Sequence, residues 1–101
     1  MLQNPEKAMA LEGRWRHPDT SAEYTIRVLK TKVIVSGIDS DDGEEFAVLD
    51  VAWDGNNLTF TSLMPSTRWK VVHRIKPNRG QTIRHEFTCV ETWKKKRCID
   101  T

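Results

Sequence analysis

The chain has little of what catalytic and membrane signatures are made from. Its 101 residues contain only two cysteines, five glycines and one tyrosine. Cys89 and Cys98 stand too far apart for a C-x-x-C redox or zinc pair, and without an export signal a disulfide framework is not expected, so both read as free thiols. No stretch approaches the roughly 20 apolar residues that span a bilayer. The N-terminus also lacks the apolar run of a signal peptide, which gives the expectation of a cytoplasmic protein without membrane contact. No nucleophile elbow, phosphate-cradling glycine loop or helical metal motif is present, nor any internal repeat or low-complexity segment. Excess charge of one sign is missing too. Sixteen basic residues face fourteen acidic ones, and a net charge of +2 gives the molecule as a whole little attraction for nucleic acid.

What is present is one domain, residues 1–101, whose apolar fraction of 38% allows a modest core. The chain opens on a short helix signal. Asn4 can cap the helix with its side-chain oxygen, Pro5 suits a first position whose N–H would go unpaired, and Glu6 favours the positive end. Met9 and Leu11 are its apolar candidates, and Gly13 is expected to stop it in a left-handed cap, delivering Trp15 onto the first strand.

Gly13-Arg14-Trp15, standing after a short N-terminal helix, resembles the G-x-W of the first strand in lipocalin-like (calycin) barrels, although this chain is shorter than a typical lipocalin. The resemblance implies that Trp15 plugs the closed end of a barrel under an arginine from the last strand. Arg84 is the candidate for that arginine, Arg97 lying too far into the tail. A ligand-carrier role is the function the resemblance implies.

The rest of the chain reads as strands from its own pattern. Residues 23–29 alternate Tyr24, Ile26 and Val28 with polar neighbours, the period of a half-buried strand, and 32–38 are rich in β-branched residues. The acidic stretch 39–45 raises a calcium reading. An EF-hand, however, needs its glycine one place after Gly43 and a closing glutamate further on, so a solvated hairpin loop is expected. Residues 46–54 and 58–64 flank Asp54-Gly55-Asn56-Asn57, a strong hairpin turn. Pairing Trp53 with Leu58 sets Val51 opposite Phe60 and Leu49 opposite Ser62, which predicts Leu49, Val51, Trp53, Leu58 and Phe60 inside.

Pro65 breaks the ladder. In residues 68–76, Arg68, Lys70, Arg74 and Lys76 then share one face with Val72, against Trp69, Val71, His73 and Ile75. Residues 81–93 make the last strand, with Ile83, His85, Phe87, Cys89, Glu91 and Trp93 on one side. For both apolar faces to agree, paired residues must share parity. A loop of residues 77–81 satisfies this and sets His73 opposite His85. The count is about seven strands, or eight if the last one bends. The predicted fold is therefore all-β, a small antiparallel up-and-down barrel with a short N-terminal helix, which removes its own sheet edges.

Polar residues on apolar faces are the informative ones, because burying them without partners is costly. His73, His85 and Glu91 form that set. The leading reading is a non-enzymatic cavity for a small apolar or amphipathic ligand, oriented by Trp69, His73, His85 and Glu91 and walled by Tyr24, Trp53 and Phe60. A metal held by His73, His85 and Glu91 or Cys89 lacks supporting spacing. Acid–base work by a His–Glu pair, or an activated Cys89, lacks an assembled constellation, and Cys89 reads as a small buried hydrophobe. No cofactor is implied. The alternative is interaction through a basic outer face of Arg68, Lys70, Arg74, Lys76, Arg79 and Arg84 with the charged tail 94–97. A protein with an acidic patch fits that face. Nucleic acid fits less well, because the outward set lacks aromatics for stacking and the tryptophans are expected inside. A seam left open could be closed by a second copy, giving a homodimer.

Overall fold

The structure is a computed structural model that describes residues 2–79 and 82–90. One short helix, α1 (Pro5–Met9), precedes seven strands: β1 (Gly13–Arg16), β2 (Ala22–Val28), β3 (Val33–Asp39), β4 (Ala47–Trp53), β5 (Leu58–Met64), β6 (Trp69–Pro77) and β7 (Ile83–Val90). All pairings between neighbours in sequence are antiparallel, in two sheets of order β1-β2-β3 and β4-β5-β6-β7. An isolated bridge between Ile38 and Glu45, and a 2.9 Å bond from Phe46 N–H to the Gly37 carbonyl, tie the end of β3 to the approach of β4. Among the described residues β1 pairs only with β2 and β7 only with β6. The all-β antiparallel pattern is thus as expected, and no closed barrel is detected.

The alternation read from β2 decides the core. Tyr24 and Ile26 are buried with Val33 and Val35 of β3, and from the other sheet Leu58, Phe60 and Ile75 meet them, with Leu11 closing one end. The two sheets therefore share one apolar interior. Each fully buried Leu, Ile or Phe contributes about 1.5–3 kcal/mol.

The helix differs from expectation at both ends. Asn4 sits at φ 43° and makes no side-chain cap. Its amide instead donates to the Gly55 carbonyl at 2.8 Å, fastening the N-terminal segment to the β4–β5 turn. The helix closes at Met9 with Ala10 as its right-handed cap, so Gly13 is not the stop. Gly13, at φ +142°, instead opens β1. Trp15 follows it, half-buried, and its indole N–H donates to the Leu11 carbonyl at 2.7 Å.

Two hairpin registers also differ. Trp53 does pair with Leu58, but the ladder shifts between Leu49 and Ala52, so that Leu49 meets Thr61 and Val48 meets Ser62. Asp50, at φ 55°, marks this bulge. The extra residue reverses the parity of β4 on the N-terminal side of the bulge, while Val51 falls within the shift and has no Cα partner on β5. Leu49 and Val51, expected inside, are 43% and 37% exposed, while Phe46 and Val48 turn inward. In the last hairpin Pro77 pairs with Ile83, which sets His73 opposite Phe87 and Ile75 opposite His85. The parity argument holds, but the turn begins one residue later than expected and the direct His73–His85 pairing becomes a diagonal one.

The acidic loop uses its carboxylates to close turns. Asp39 Oδ1 accepts from the Ser21 hydroxyl at 2.7 Å and from the Asp41 N–H at 2.9 Å, and Asp42 accepts from the Glu44 N–H. Those bonds, the Ser21 hydroxyl first, hold the Asp39 carboxyl below the usual range.

Candidate functional site

A cavity of about 340 Å³ opens between the sheets. β2 supplies Tyr24, β5 supplies Ser62 and Met64, β6 supplies Trp69, Val71 and His73, and β7 supplies His85, Phe87 and Cys89, with Phe46 from the approach to β4. Each comes from the inward parity of its strand, so the alternation that builds the core also builds the wall. Beside it lies a cleft of about 460 Å³ that shares His17, Tyr24, His85 and Phe87 with the cavity.

At its inner end the cavity carries a chain of polar groups. Ser62 Oγ lies 2.8 Å from His73 Nε2, and the Tyr24 hydroxyl is 3.3 Å from both. On the other side of the same ring, His73 Nδ1 is 2.8 Å from His85 Nε2. His73 is only 3% exposed, yet both of its nitrogens are engaged. Aromatic rings sandwich the pair. Phe60 stacks on His73 at 4.5 Å, His73 on His85 at 5.1 Å, and His85 on Phe87 at 5.3 Å. His17, just beyond β1, presents its ring edge to His85 and Phe87, linking the ends of the two sheets through side chains.

Burial sets the charge of this cluster. Loss of water, reinforced by the neighbouring His85 and His17, lowers the His73 pKa to about 4, and burial followed by His17 lowers that of His85 as well. Burial raises the Tyr24 hydroxyl, outweighing the opposing bond from Ser62. The Tyr24, His73 and His85 side chains are therefore uncharged at neutral pH, and the hydrogen bonds joining them through Ser62 run between neutral groups.

Of the residues expected to form the site, Tyr24, Trp69, His73 and His85 line the cavity. Trp69 stands at the rim, 50% exposed, rather than in the core. Phe60 is buried behind His73 and forms no part of the wall, because the His73 ring lies over its face. Trp53 is outside the site. Its indole N–H donates to the Gln3 carbonyl at 2.6 Å, at the end held by the N-terminal segment. Glu91 lies outside the described residues, as do Trp93 and Cys98. Cys89 is exposed and lines the cavity, contrary to the expectation of a buried thiol, because it lies at the far end of an edge strand.

Ser62, Phe46 and His17 were not expected in the site. Ser62 could have been found as the polar residue on the inward parity of β5, whereas the β4 bulge hid Phe46. His17 follows the strand alternation no further than Arg16, and no local signal marks it. Among the described residues no group of three or more His, Cys, Asp and Glu side chains has an arrangement that would hold a metal.

No family model, curated protein or solved structure matches the chain.

Proposed function

We propose that this protein is a non-enzymatic binder of a small apolar or amphipathic molecule, held in the cavity between its two sheets. The observation that carries the reading is the combination of a 340 Å³ space walled by Phe46, Trp69, Val71 and Phe87 with one convergent polar cluster at His73 and His85. Small-molecule sites are commonly built this way, an apolar wall giving affinity and a few fixed polar groups giving orientation. The volume equals that of about eleven liquid waters at roughly 30 Å³ each, which suits a ligand of on the order of ten non-hydrogen atoms.

The architecture is read with it as a lipocalin-like up-and-down barrel, open between β1 and β7. Three features support this: the single core shared by both sheets, the His17 ring between their ends, and Trp15 of the G-x-W motif seated against Leu11 beside α1. The testing experiment is titration with the neutral dye N-phenyl-1-naphthylamine. A saturable blue-shifted emission that octan-1-ol displaces is expected. Emission identical to that in buffer at every protein concentration overturns the reading.

A second reading concerns the opposite face. Arg68, Lys70, Arg74, Lys76, Arg79 and Arg84 are all exposed, with Val72 41% exposed among them, and an acidic protein partner would complement that surface. Arg84 also contacts Glu86 at 3.3 Å, which reduces the positive charge of the stripe. Arg74→Glu with Arg84→Glu should abolish such an interaction and leave dye binding intact.

A further inference from the structure

The polar cluster has a property that narrows the ligand beyond size and hydrophobicity. In a neutral histidine one ring nitrogen donates and the other accepts. If His73 Nε2–H donates to Ser62 Oγ, His73 Nδ1 must accept from His85 Nε2–H, and His85 Nδ1 is left as an acceptor. If instead the Ser62 hydroxyl donates to His73 Nε2, His73 Nδ1–H donates to His85 Nε2, and His85 Nδ1 carries the proton and donates. Both arrangements keep every bond of the chain and neither carries a charge. The two arrangements hold the same number of protons, and they interconvert when a proton is taken up at His85 Nδ1 and another is released from the Ser62 end, which turns the terminal atom from acceptor to donor.

That terminal atom is reachable. His85 Nδ1 makes no hydrogen bond to a described residue, and His85 is only half-buried. The ring itself lines both the cavity and the adjoining cleft.

The rest of the wall opposes a charged head. No lysine or arginine lines the cavity among the described residues, and Arg16 stands in the adjoining cleft together with Asp19. The one carboxylate of the wall, Asp39, is already occupied by Ser21 and the Asp41 N–H and adds negative charge to the lining. A carboxylate or phosphate would thus lose its water without gaining a counter-charge, which is costly in an apolar site. An ammonium head beside His85 would find Nδ1 as an acceptor for one of its three donors at most, and the Asp39 carboxylate of the wall is already engaged by the Ser21 hydroxyl and the Asp41 N–H.

We infer that the ligand is an uncharged amphiphile with a single hydroxyl or carbonyl head, such as a medium-chain or aromatic alcohol or ketone, whose head bonds His85 Nδ1 while its apolar body lies against Phe46, Trp69 and Phe87. This rests on the cavity reading above and deepens it. The donor–acceptor interchange explains why alcohol and carbonyl heads belong to one class here: a hydroxyl satisfies Nδ1 in either arrangement, and a carbonyl selects the arrangement in which Nδ1–H donates.

The test is calorimetric titration at pH 7.5 with octan-1-ol, octan-2-one, octanoate and octylammonium, which share a chain length and differ in the head. The alcohol and the ketone are expected to bind at least 10-fold more tightly than either ion. In His85→Phe, which preserves an aromatic ring between His73 and Phe87, their advantage should fall to within about 2-fold of the ions while N-phenyl-1-naphthylamine still binds. Octanoate or octylammonium binding as tightly as the alcohol overturns the inference on the head group and leaves the cavity standing. An unchanged alcohol preference in His85→Phe overturns the assignment of the head to Nδ1. Failure of all four compounds and of the dye overturns the cavity reading itself.

Discussion

Gly37 and Tyr24 face each other across the β2–β3 ladder, and the tyrosine ring fills the place where a side chain at residue 37 would begin. A Cβ there would stand 2.7 Å from Tyr24 Cδ1 and 2.9 Å from a ring carbon of Phe46. The absence of a side chain on β3 therefore lets Tyr24 lie flat toward β5 and β6, with its hydroxyl over Ser62 and His73. Gly37→Ala should displace the ring, destabilise the fold by roughly 1–3 kcal/mol as overpacking does, and loosen the Ser62–His73 cluster. Urea denaturation checks the first effect. The second would appear as weaker octan-1-ol binding at a temperature where the variant remains folded.

His73 makes stability depend on pH in a defined direction. In the folded chain it stays neutral down to about pH 4, whereas unfolded it takes up a proton near 6.5. Between those values the unfolded state holds more protons, so stability rises with pH and is lost as the pH falls from about 6.5 through 4. His85 shifts the same way and adds to the loss. Asp39 and Asp54, lowered from 3.8 by hydrogen bonds to their carboxylates, contribute stability that disappears only below that range. After discounting for the solvent reaching the cavity, the His73 share between pH 7 and pH 4 is on the order of 2 kcal/mol, at about 1.4 kcal/mol per pH unit of displacement. Denaturation at a series of pH values should show this slope, and His73→Phe should flatten it. An equal slope in the variant would place the acid sensitivity elsewhere.

What could be read from the sequence follows from how locally each feature is encoded. The alternation in β2, β6 and β7 put Tyr24, His73 and His85 on inward faces, because a period of two survives whatever the partner strand does. Strong turn chemistry also paired Trp53 with Leu58 correctly. The errors begin where register depends on a single extra residue. At the β4 bulge, Asp50 gives no stronger signal than any exposed aspartate, yet it exchanged Leu49 and Val51 for Phe46 and Val48 as interior residues. The cavity needed two such registers and the position of His17 at once, so its aromatic wall was less legible than its histidines.

The bulge gives its own prediction. Asp50 holds φ 55°, a conformation that costs most L residues about 1–2 kcal/mol and that glycine adopts freely. Asp50→Gly should leave stability within about 0.5 kcal/mol of the parent, the relief of strain being offset by the greater freedom of the unfolded chain. Asp50→Val, β-branched and intolerant of this φ, should cost about 1–2 kcal/mol or more. A thermal melt of the two variants decides the matter, and equal stability for Gly and Val would mean that β4 pairs without the bulge.

Cys89 offers a direct check of where the ligand lies. Its thiol is exposed, and it shares the cavity wall with Trp69, Val71 and Phe87. Val71 and Cys89 pair across the β6–β7 ladder, so the two side chains are adjacent on the inner face. An alkyl group attached at this thiol would project beside the apolar wall and take up space that a ligand body needs. In a Cys98→Ser background, modification of Cys89 with N-ethylmaleimide should reduce octan-1-ol and dye affinity at least 10-fold. Saturating octan-1-ol should in turn slow the modification several-fold. The same reagent should have no effect on binding in Cys89→Ser, which keeps the wall nearly unchanged in size. Full dye binding by the alkylated protein would place the occupied site away from β6 and β7 and move attention to the cleft lined by Trp15, Ile75 and Ile83.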